Sequence, residues 1–435
     1  MLDINLIRTN PDEVRTGVEK KGVDSKLVDK ISRADEDWRE KVASLETMKA
    51  EQNLLSKDLA KEQTEDLIAK ASVLKKRVAE MQEEVNALKI KRDEFLARLP
   101  NLPLADVPVG KNEDDNVVSK TVGKPEVFNF KPKNHMEIGE ALGVIDTEVA
   151  SKVSGSRFNY LKGDAVLLEF SLVQYVFHTL QNEKILKKIA ESVGVEYSAK
   201  PFIPVVPPIM IRPEVYQRMA RLEPKEERYY IPSDDIYLIG SAEHTLGPIH
   251  MDETIPETSL PLRYVGFSVA LRREAGAAGK DTHGILRVHQ FDKIEMESFT
   301  TPENGRAEQD FIVGIQEYLL HSLGLPYQVI SVCTGDMGSP DARQIDINTW
   351  MPGQETYRET HTSDYNGDYQ SRRLGTKVKR KDGSKEFLHM NDATAFAIGR
   401  TIIAILENYQ NADGSVTIPE VLRPYMMGKE KITKG

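Results

Sequence analysis

The sequence has few of the residues that cross-link small secreted domains. Cys333 is the only cysteine among 435 residues. No disulfide can therefore form within one chain, and no zinc site can be built from several cysteines. The sequence starts MLDINLIRTNPDEV, without a basic segment followed by an apolar one. We therefore expect no signal peptide and a cytoplasmic location.

Long apolar runs and two common catalytic motifs are also missing. No uninterrupted hydrophobic stretch is long enough to span a bilayer, so we expect no membrane association. The P-loop pattern GxxxxGK[ST] fails because Asp281 follows Lys280 and because Glu274 stands where the first glycine is needed. The zinc-protease pattern HExxH is absent. These absences argue against a P-loop nucleotide-binding protein and against a metalloprotease of that type.

The bulk properties predict a multidomain protein without a strong basic character. The length of 435 residues predicts two or three domains, and 40% hydrophobic residues suffice for a sizeable core. The formal net charge of −10 argues against a protein that coats nucleic acid non-specifically. The net charge is compatible with a local basic surface that binds nucleic acid, because contacts with phosphates depend on local charge.

Glycine and proline are absent from Lys26 to Arg98, where charge is dense. Apolar residues recur there at spacings of three and four, in two stretches separated by a polar segment from Ala60 to Asp66. Thr64 can cap the second helix. The pattern predicts an antiparallel helical hairpin with arms of about 33 residues and about 50 Å. It suits either a dimerising coiled coil or an arm that reaches a large partner.

A β-hairpin is predicted between Tyr264 and Phe299. Apolar residues alternate at its start, as in a half-buried strand. A loop with three glycines follows from Ala275 to Gly284, and a second strand is predicted from Ile285 to about Glu297.

One face of this hairpin carries charged and aromatic side chains. Arg272 and Glu274 share a face of the first strand, and Arg287, Phe291 and Glu295 share a face of the second. Arginine forks match phosphate oxygens, an aromatic ring can stack on a base, and a carboxylate can accept from an amine. The face suits a nucleotide polyphosphate beside an amine. A solvated strand with cross-strand ion pairs is the alternative.

Longer strings resemble one enzyme family. The segment REAGAAGKDTHGILRVHQFDKIE resembles motif 2 of class II aminoacyl-tRNA synthetases, in the version of the seryl-tRNA synthetases. Phe202–Arg212, with Pro208, resembles motif 1, which builds the homodimer interface in this class; an ordinary edge strand is the alternative. Phe387–Gln410 resembles motif 3. The resemblance implies an α+β protein with an N-terminal antiparallel two-helix coiled-coil arm and a class II antiparallel β-sheet catalytic domain flanked by helices.

The resemblance also implies a domain order and a reaction. Residues 1–100 correspond to a tRNA-binding helical arm, residues 101–126 to a linker and residues 127–435 to the catalytic domain. L-serine would be activated by ATP with Mg²⁺ and transferred to tRNA(Ser), and also to tRNA(Sec). Basic residues near the turn of the arm would contact the tRNA, although a charge run is more often a solvated face. They are Lys57, Lys61, Lys70, Lys75, Lys76 and Arg77.

The family pattern assigns site residues by position. Arg272, Arg400 and Glu359 are the expected catalytic residues. The expected ATP site comprises Arg272, Glu274, Arg287, Phe291, Glu359, Thr362 and Arg400, with Mg²⁺ held by Glu359 and Thr362. The expected serine pocket comprises Ser241, Glu243, Arg272, Glu295, Asp392 and Thr394. Ser241 and Glu243 are predicted to share one strand face; taken alone, they also suit a helix-capping cluster.

Three stretches depart from the family pattern. Asp392 stands where the family usually has asparagine, and Thr362–Tyr365 replaces a usual Ser-Cys-Ser-Asn. The segment Tyr216–Tyr230 differs from the usual glycine-containing loop. An anionic Asp392 can alter amino-acid affinity or discrimination. Two other functions are alternatives. A related ligase that loads a carrier protein is expected to lack the helical arm. A non-enzymatic scaffold is expected to have lost an arginine of the site or the Phe-Glu pair of motif 2.

Overall fold

The computed structural model describes residues 1–195, 198–275 and 284–434. Its contacts divide the chain into two compact units, Met1–Leu102 and Pro103–Gly435. The predicted glycine-rich loop is described only at its two ends, and its residues 276–283 lie outside the described residues. No helix in the described part of the chain is long and apolar enough to cross a membrane.

The first unit is helical and contains the predicted arm. Its helices are α1 Ile4–Thr9, α2 Pro11–Lys20, α3 Lys26–Lys61 and α4 Glu65–Ala97. The long pair α3 and α4, of 36 and 33 residues, forms the hairpin, so this prediction is confirmed. Thr64 caps α4, where its side chain accepts from the Leu67 N–H at 3.3 Å. The apolar seam is buried at Ile31, Leu45 and Val85, because residues three and four apart share one helix face.

A charged cluster lies at the base of the arm. The buried carboxylate of Asp35 accepts hydrogen bonds of 2.8 Å from Arg8 Nε and Nη2 and one of 3.0 Å from Arg39 Nε. Arg92 Nη1 lies 3.4 Å from the same carboxylate, and its guanidinium lies 4.3 Å from the Trp38 ring centroid. The cluster ties α1 to both long helices.

The second unit mixes helices with a large sheet. Its helices are α5 His135–Leu142, α6 Thr147–Ser154, α7 Asp164–Leu180, α8 Glu183–Ser192, α9 Pro213–Arg218, α10 Glu243–Leu246, α11 Gly305–Ser322, α12 Tyr369–Leu374 and α13 Ile398–Asn408. Its strands are β1 Val117–Val122, β2 Ile145–Asp146, β3 Tyr160–Leu161, β4 Ile203–Val205, β5 Met210–Ile211, β6 Tyr230–Ile231, β7 Ile236–Leu238, β8 Thr254–Pro256, β9 Leu262–Leu271, β10 Gln290–Thr300, β11 Tyr327–Ser331, β12 Arg343–Met351, β13 Thr356–Gly367, β14 Lys377–Lys379, β15 Lys385–Phe387, β16 His389–Ala397, β17 Val416–Thr417 and β18 Lys431–Ile432.

An eight-stranded sheet organises this unit, in the order β1-β11-β12-β13-β16-β10-β9-β4. Every neighbouring pair is antiparallel except β4 with β9. Helices α7, α11 and α13 cover one face, where Ile294 and Met296 of β10 join the main core. Because side chains alternate along a strand, Lys293, Glu295 and Glu297 project from the opposite face. That face carries the site.

Local predictions need correction at three places. In the hairpin, the first strand ends at Leu271, so Arg272 and Glu274 lie beyond it and do not share a strand face. The second strand begins at Gln290 rather than Ile285, so Arg287 precedes it in irregular chain. Ser241 and Glu243 do not share a strand, because Ser241 follows β7 and Glu243 begins α10. The segment predicted as a linker, residues 101–126, contains β1, which pairs with β11 at one edge of the sheet.

Candidate active site

Strands β9 and β10 bring the two halves of the polar hairpin together. Their register pairs Leu271 with Gln290. The pairing continues one step beyond the strands, where the Arg272 N–H donates to the His289 carbonyl at 2.9 Å. This contact places the side chain of Arg272 at the end of the hairpin, beside the start of β10.

A cleft at this end of the sheet collects most of the residues predicted to bind ATP. Six of the seven line it, and Thr362 is the exception. Among the other residues that line the cleft, three have polar side chains, namely Lys293, Thr360 and Thr394. The six predicted residues in the cleft are Arg272, Glu274, Arg287, Phe291, Glu359 and Arg400.

Arg272 is held between a backbone carbonyl and an aromatic ring. Its Nε donates to the Gly240 carbonyl at 3.0 Å, and its guanidinium carbon lies 5.3 Å from the Phe291 ring centroid. Glu274, with a positive φ of 49°, faces Arg287 Nη1 at 3.5 Å. The Glu274 carbonyl accepts from Arg157 Nη1 at 3.1 Å. Cations and an aromatic face therefore converge on one side of the cleft.

The opposite side of the cleft carries Arg400 and Glu359. Arg400, in the first turn of α13, donates from Nη1 to the Glu359 carbonyl at 2.8 Å and to Oε1 at 2.9 Å. The Glu359 side chain is 51% exposed; partial desolvation acts to raise its pKa, but Arg400, Lys293 and Arg272 lower the pKa on balance. Glu359 is therefore held as a carboxylate.

Thr362 lies outside the cleft lining but close to Glu359. It stands opposite Asp346 in the pairing of β13 with β12. Burial and the neighbouring Glu359 carboxylate raise the pKa of Asp346 well above its usual value. Two carboxyl groups and a hydroxyl are therefore crowded at this corner. Sequence reasoning missed Asp346, which alternation along β12 does not distinguish from other strand residues.

Ser241, Glu295 and Lys293 form a second group, deeper than the arginines. Ser241 Oγ donates to Glu295 Oε1 at 2.7 Å, and Lys293 makes an ion pair with the same carboxylate. Burial raises the pKa of Glu295, with Lys293 acting against it and Glu243 adding to it. Thr394 stands opposite Glu295 in the pairing of β10 with β16. The two-residue period that selects Phe291 and Glu295 also selects Lys293, which the sequence interpretation did not include.

Glu243 and His244 are ordered by a small buried network. His244 Nδ1 accepts from the Tyr216 hydroxyl at 2.8 Å and from the Gly240 N–H at 3.1 Å, so its proton lies on Nε2, 3.3 Å from Glu243 Oε1. Burial lowers the pKa of His244 to about 4, so the ring is neutral at pH 7. Although burial acts to raise it, the pKa of Glu243 lies well below its usual value because of Arg221 and His244. Glu243 is an anion.

Arg221 is the site residue that sequence reasoning missed most clearly. Its Nη2 lies 3.1 Å from Asp341 Oδ1, 3.0 Å from Asp364 Oδ2 and 3.2 Å from Asp392. Its Nε lies 3.4 Å from Glu243 Oε1. The signal available in the sequence was the departure of the Tyr216–Tyr230 segment from the family pattern. That departure does not reveal which side chains the segment contacts.

The predicted tRNA contacts lie around the turn between α3 and α4. All six basic side chains are exposed. Three of them face acidic neighbours, with Lys61 at 3.6 Å from Asp58, Lys70 at 2.6 Å from Asp66, and Lys76 at 3.8 Å from a glutamate one turn away. Exposed ion pairs of this kind are weak, so these lysines can exchange their partners for phosphates.

Two family models match the chain. Residues 1–103 match the seryl-tRNA synthetase N-terminal domain, and residues 228–409 match the tRNA synthetase class II core domain (G, H, P, S and T). A serine–tRNA ligase of Acidothermus cellulolyticus is 40% identical over 434 residues, which are 98% of each chain. The chain belongs to the seryl-tRNA synthetase family. The family assignment confirms the predicted fold class, a helical arm joined to a class II catalytic sheet.

Solved structures of the family agree with this assignment. Seryl-tRNA synthetase of Pyrococcus horikoshii, described as complexed with ATP, superposes with a TM-score of 0.89 at 37% identity, covering 100% of both chains. The cytoplasmic serine–tRNA ligase of Naegleria fowleri, described in complex with AMP, superposes with a TM-score of 0.86 at 33% identity, covering 100% of this chain and 99% of that one. The matched core begins at residue 228, so Arg221 lies just before it.

Proposed function

We propose that the protein is a serine–tRNA ligase. It activates L-serine with ATP to give seryl-adenylate and pyrophosphate, and then transfers the seryl group to the 3′ end of tRNA(Ser), and also of tRNA(Sec). One observation carries the proposal: the cleft that groups Arg272, Phe291 and Arg400 adjoins the buried pair Ser241 and Glu295, through Lys293. We assign phosphate binding to the cleft and serine binding to the adjacent polar group around Ser241 and Glu295.

In the first step a serine carboxylate oxygen attacks the α-phosphorus of ATP. A new phosphorus–oxygen bond forms, the bond to the β-phosphate oxygen breaks, and pyrophosphate leaves. Arg272 binds the α-phosphate and neutralises the charge that develops there, while Phe291 stacks on adenine and Glu274 accepts from its amino group. Arg287 and Arg400 hold the β- and γ-phosphates. Catalysis rests on positioning and electrostatics, without a covalent enzyme intermediate.

The corner around Glu359 has the donors that Mg²⁺ prefers. Glu359 and Thr362 would hold the ion, and the Asp346 carboxyl group lies beside both of them. Carboxylate and hydroxyl oxygens fit a hard divalent cation that also binds phosphates. When bound, Mg²⁺ supplies charge neutralisation for the polyphosphate.

The serine pocket is built from the deeper group. Glu243 binds the α-ammonium of serine, supported by Ser241, and Arg272 neutralises the carboxylate while it reacts. Glu295, Asp392 and Thr394 surround the side-chain hydroxyl. Alanine and glycine are rejected because they leave these buried polar groups without a partner, whereas threonine is excluded by shape.

The helical arm supplies the tRNA contacts in this proposal. Residues 1–100 form the tRNA-binding part and residues 127–435 the catalytic part; residues 101–126 connect them and also supply strand β1 to the catalytic sheet. The exposed side chains around the turn contact the phosphates of the long variable arm of the tRNA. They are Lys57, Lys61, Lys70, Lys75, Lys76 and Arg77. The single cysteine, Cys333, is free and buried, which is consistent with work in the reducing cytoplasm.

The protein is further proposed to act as a homodimer through motif 1. The segment from Ile203 to Met210 exposes several apolar side chains next to the edge strand β4. Val206 is 84% exposed, Ile203 47% and Met210 46%. A contiguous apolar surface at a sheet edge is typical of a protein–protein interface.

Amino-acid-dependent ATP–pyrophosphate exchange tests the activation step. Serine, threonine, alanine and glycine are compared in parallel with saturating ATP and Mg²⁺. Exchange with serine alone is expected. Exchange with another amino acid instead of serine would keep the reaction but overturn the serine assignment, and no exchange by a folded protein would overturn the enzymatic function.

A further inference from the structure

Charged residues from three separate stretches of the chain meet at one point. Arg221 lies between α9 and β6, Asp364 in β13 and Asp392 in β16. The Nη2 atom of Arg221 lies within hydrogen-bond distance of both carboxylates, at 3.0 Å and 3.2 Å. Distant residues therefore form one charged cluster, and its member Asp392 belongs to the proposed serine pocket.

The sheet register explains why these carboxyl groups are close. Glu297 of β10 stands opposite Asp392 of β16, and Asp392 stands opposite Asp364 of β13. Directly opposed residues on adjacent antiparallel strands project from the same face with Cβ atoms about 5 Å apart. Three acidic side chains therefore form a row across three strands, beside Glu295 and Thr394.

Carboxyl groups outnumber cations around this row. Five of them surround the single guanidinium of Arg221, namely Glu243, Glu297, Asp341, Asp364 and Asp392. Glu297 is fully buried, and neither of its carboxyl oxygens has a hydrogen-bond partner among the described residues. Burial and the neighbouring acidic groups raise its pKa well above the usual value. The raised pKa favours the neutral, protonated form of Glu297 in the unliganded protein, and a cation bound beside it would favour the carboxylate.

We propose that the amino-acid pocket also accepts and activates a short diamino acid, represented by L-2,3-diaminopropionate. This proposal rests on the proposed function. The compound has the chain length of serine, with an ammonium group in place of the hydroxyl. Its three N–H donors would face Glu295, Asp392 and the unpaired Glu297, so the ligand would bring the positive charge that the acidic row lacks.

The reaction is the one already proposed for serine. The α-carboxylate oxygen forms a bond to the α-phosphorus of ATP, the bond to the β-phosphate oxygen breaks, and pyrophosphate leaves. The side-chain ammonium takes no part in bond making. It contributes binding energy through the acidic row, which an uncharged side chain of similar size cannot provide.

Exchange assays with three amino acids test the inference. Serine, L-2,3-diaminopropionate and alanine are compared at pH 7 with the wild-type protein. We expect kcat/KM for the diamino acid within about tenfold of serine, and at least about 100-fold above alanine. If the protein catalyses exchange with serine but exchange with diaminopropionate is no faster than with alanine, the inference is overturned and the proposed function stays intact. Exchange with the diamino acid but not with serine would support the inference and overturn the serine assignment.

Variants that remove one carboxyl group test whether the acidic row is responsible for the activity with diaminopropionate. Asp392→Asn and Glu297→Gln each remove one carboxyl group at nearly constant volume, so the ratio of diaminopropionate to serine kcat/KM is expected to fall about tenfold in each. The ratio is measured within one protein and is therefore insensitive to a partial loss of folded enzyme. Asp382→Asn makes the same change at an exposed turn and should leave the ratio unchanged. An unchanged ratio in both pocket variants would overturn the inference.

Discussion

Ser241 Oγ donates a hydrogen bond of 2.7 Å to Oε1 of Glu295, a carboxylate that is 1% exposed and 54 positions further along the chain. The bond joins the segment after β7 to the middle of β10. It fixes one oxygen of Glu295, while the other oxygen has no partner among the described residues. Glu295 thus keeps an acceptor for a bound amino acid.

Removing the Ser241 hydroxyl should leave the Glu295 carboxyl group less firmly oriented. In Ser241→Ala, Glu295 loses one donor, and we expect kcat/KM for serine in pyrophosphate exchange to fall about tenfold, equivalent to ~1.4 kcal/mol. Ser233→Ala, an exposed serine in the loop before β7, serves as the control. Wild-type kinetics in Ser241→Ala would contradict a role for this hydroxyl in the pocket.

Arg272 and its neighbour Arg273 provide a matched pair for the phosphate assignment. Arg272 lines the cleft, whereas the Arg273 guanidinium lies 5.9 Å from the Tyr229 ring centroid. Arg272→Ala should lower the exchange rate by more than about 100-fold, because the charge developing on the α-phosphate loses its partner. Arg273→Ala should have a much smaller effect. Equal losses of exchange rate in both variants would contradict the assignment of Arg272 to the α-phosphate.

The arm should be needed for tRNA and not for adenylate formation. Replacing Ser56–Ala69 by a short turn removes the tip, and we expect aminoacylation of tRNA(Ser) to fall steeply while serine-dependent exchange is unchanged. The control replaces Lys187 and Lys188 of α8, exposed in the catalytic unit, by glutamine. An equal loss of both activities after shortening would refute a separate tRNA-binding arm.

The stability of the first unit should depend on pH through the carboxyl group of Asp35. Burial acts to raise the pKa of Asp35, but hydrogen bonds from Arg8 and Arg39 lower it on balance. Its stabilising effect is therefore fully present above the unfolded-state pKa of about 3.9 and is lost as the pH falls through the lower folded value.

Asp35→Asn should lower the free energy of unfolding by about 2 kcal/mol at pH 7 and weaken its dependence on pH below about 4. Hydrogen exchange in α1 and α3 measures this change locally. Asp37→Asn changes a neighbouring aspartate on an exposed part of the helix and should leave both quantities unchanged. A variant at Asp35 that kept wild-type protection at pH 7 would contradict the stabilising role.

The apolar segment near β4 should determine the oligomeric state. Val206→Asp places a charge on a side chain that is 84% exposed in the single chain, and we expect it to convert a dimer into a monomer in light scattering after size exclusion. Val127→Asp is the control: it makes the same change at a side chain that is 94% exposed elsewhere in the unit, and it should leave the oligomeric state unchanged. A wild-type protein that is already monomeric would exclude the proposed interface.

Local sequence patterns anticipated much of the fold. The hairpin α3–α4 follows from heptads and the Thr64 cap, and strand β9 follows from alternation, because these signals depend on residues a few positions apart. The family motifs anticipated six residues of one cleft. Boundaries were less accurate, since the start of β10 at Gln290 depends on where pairing with β9 ends.

The sequence by itself determined the arm, the polar hairpin and the family of this protein. Only the tertiary structure decided which distant side chains meet: Lys293 with Ser241, Asp346 with Thr362, and Arg221 with Asp364 and Asp392. The physical reason is that a strand's own pattern specifies which face a side chain occupies, whereas the order and register of the strands specify its neighbours. The excess of buried carboxyl groups around Arg221 follows from that register.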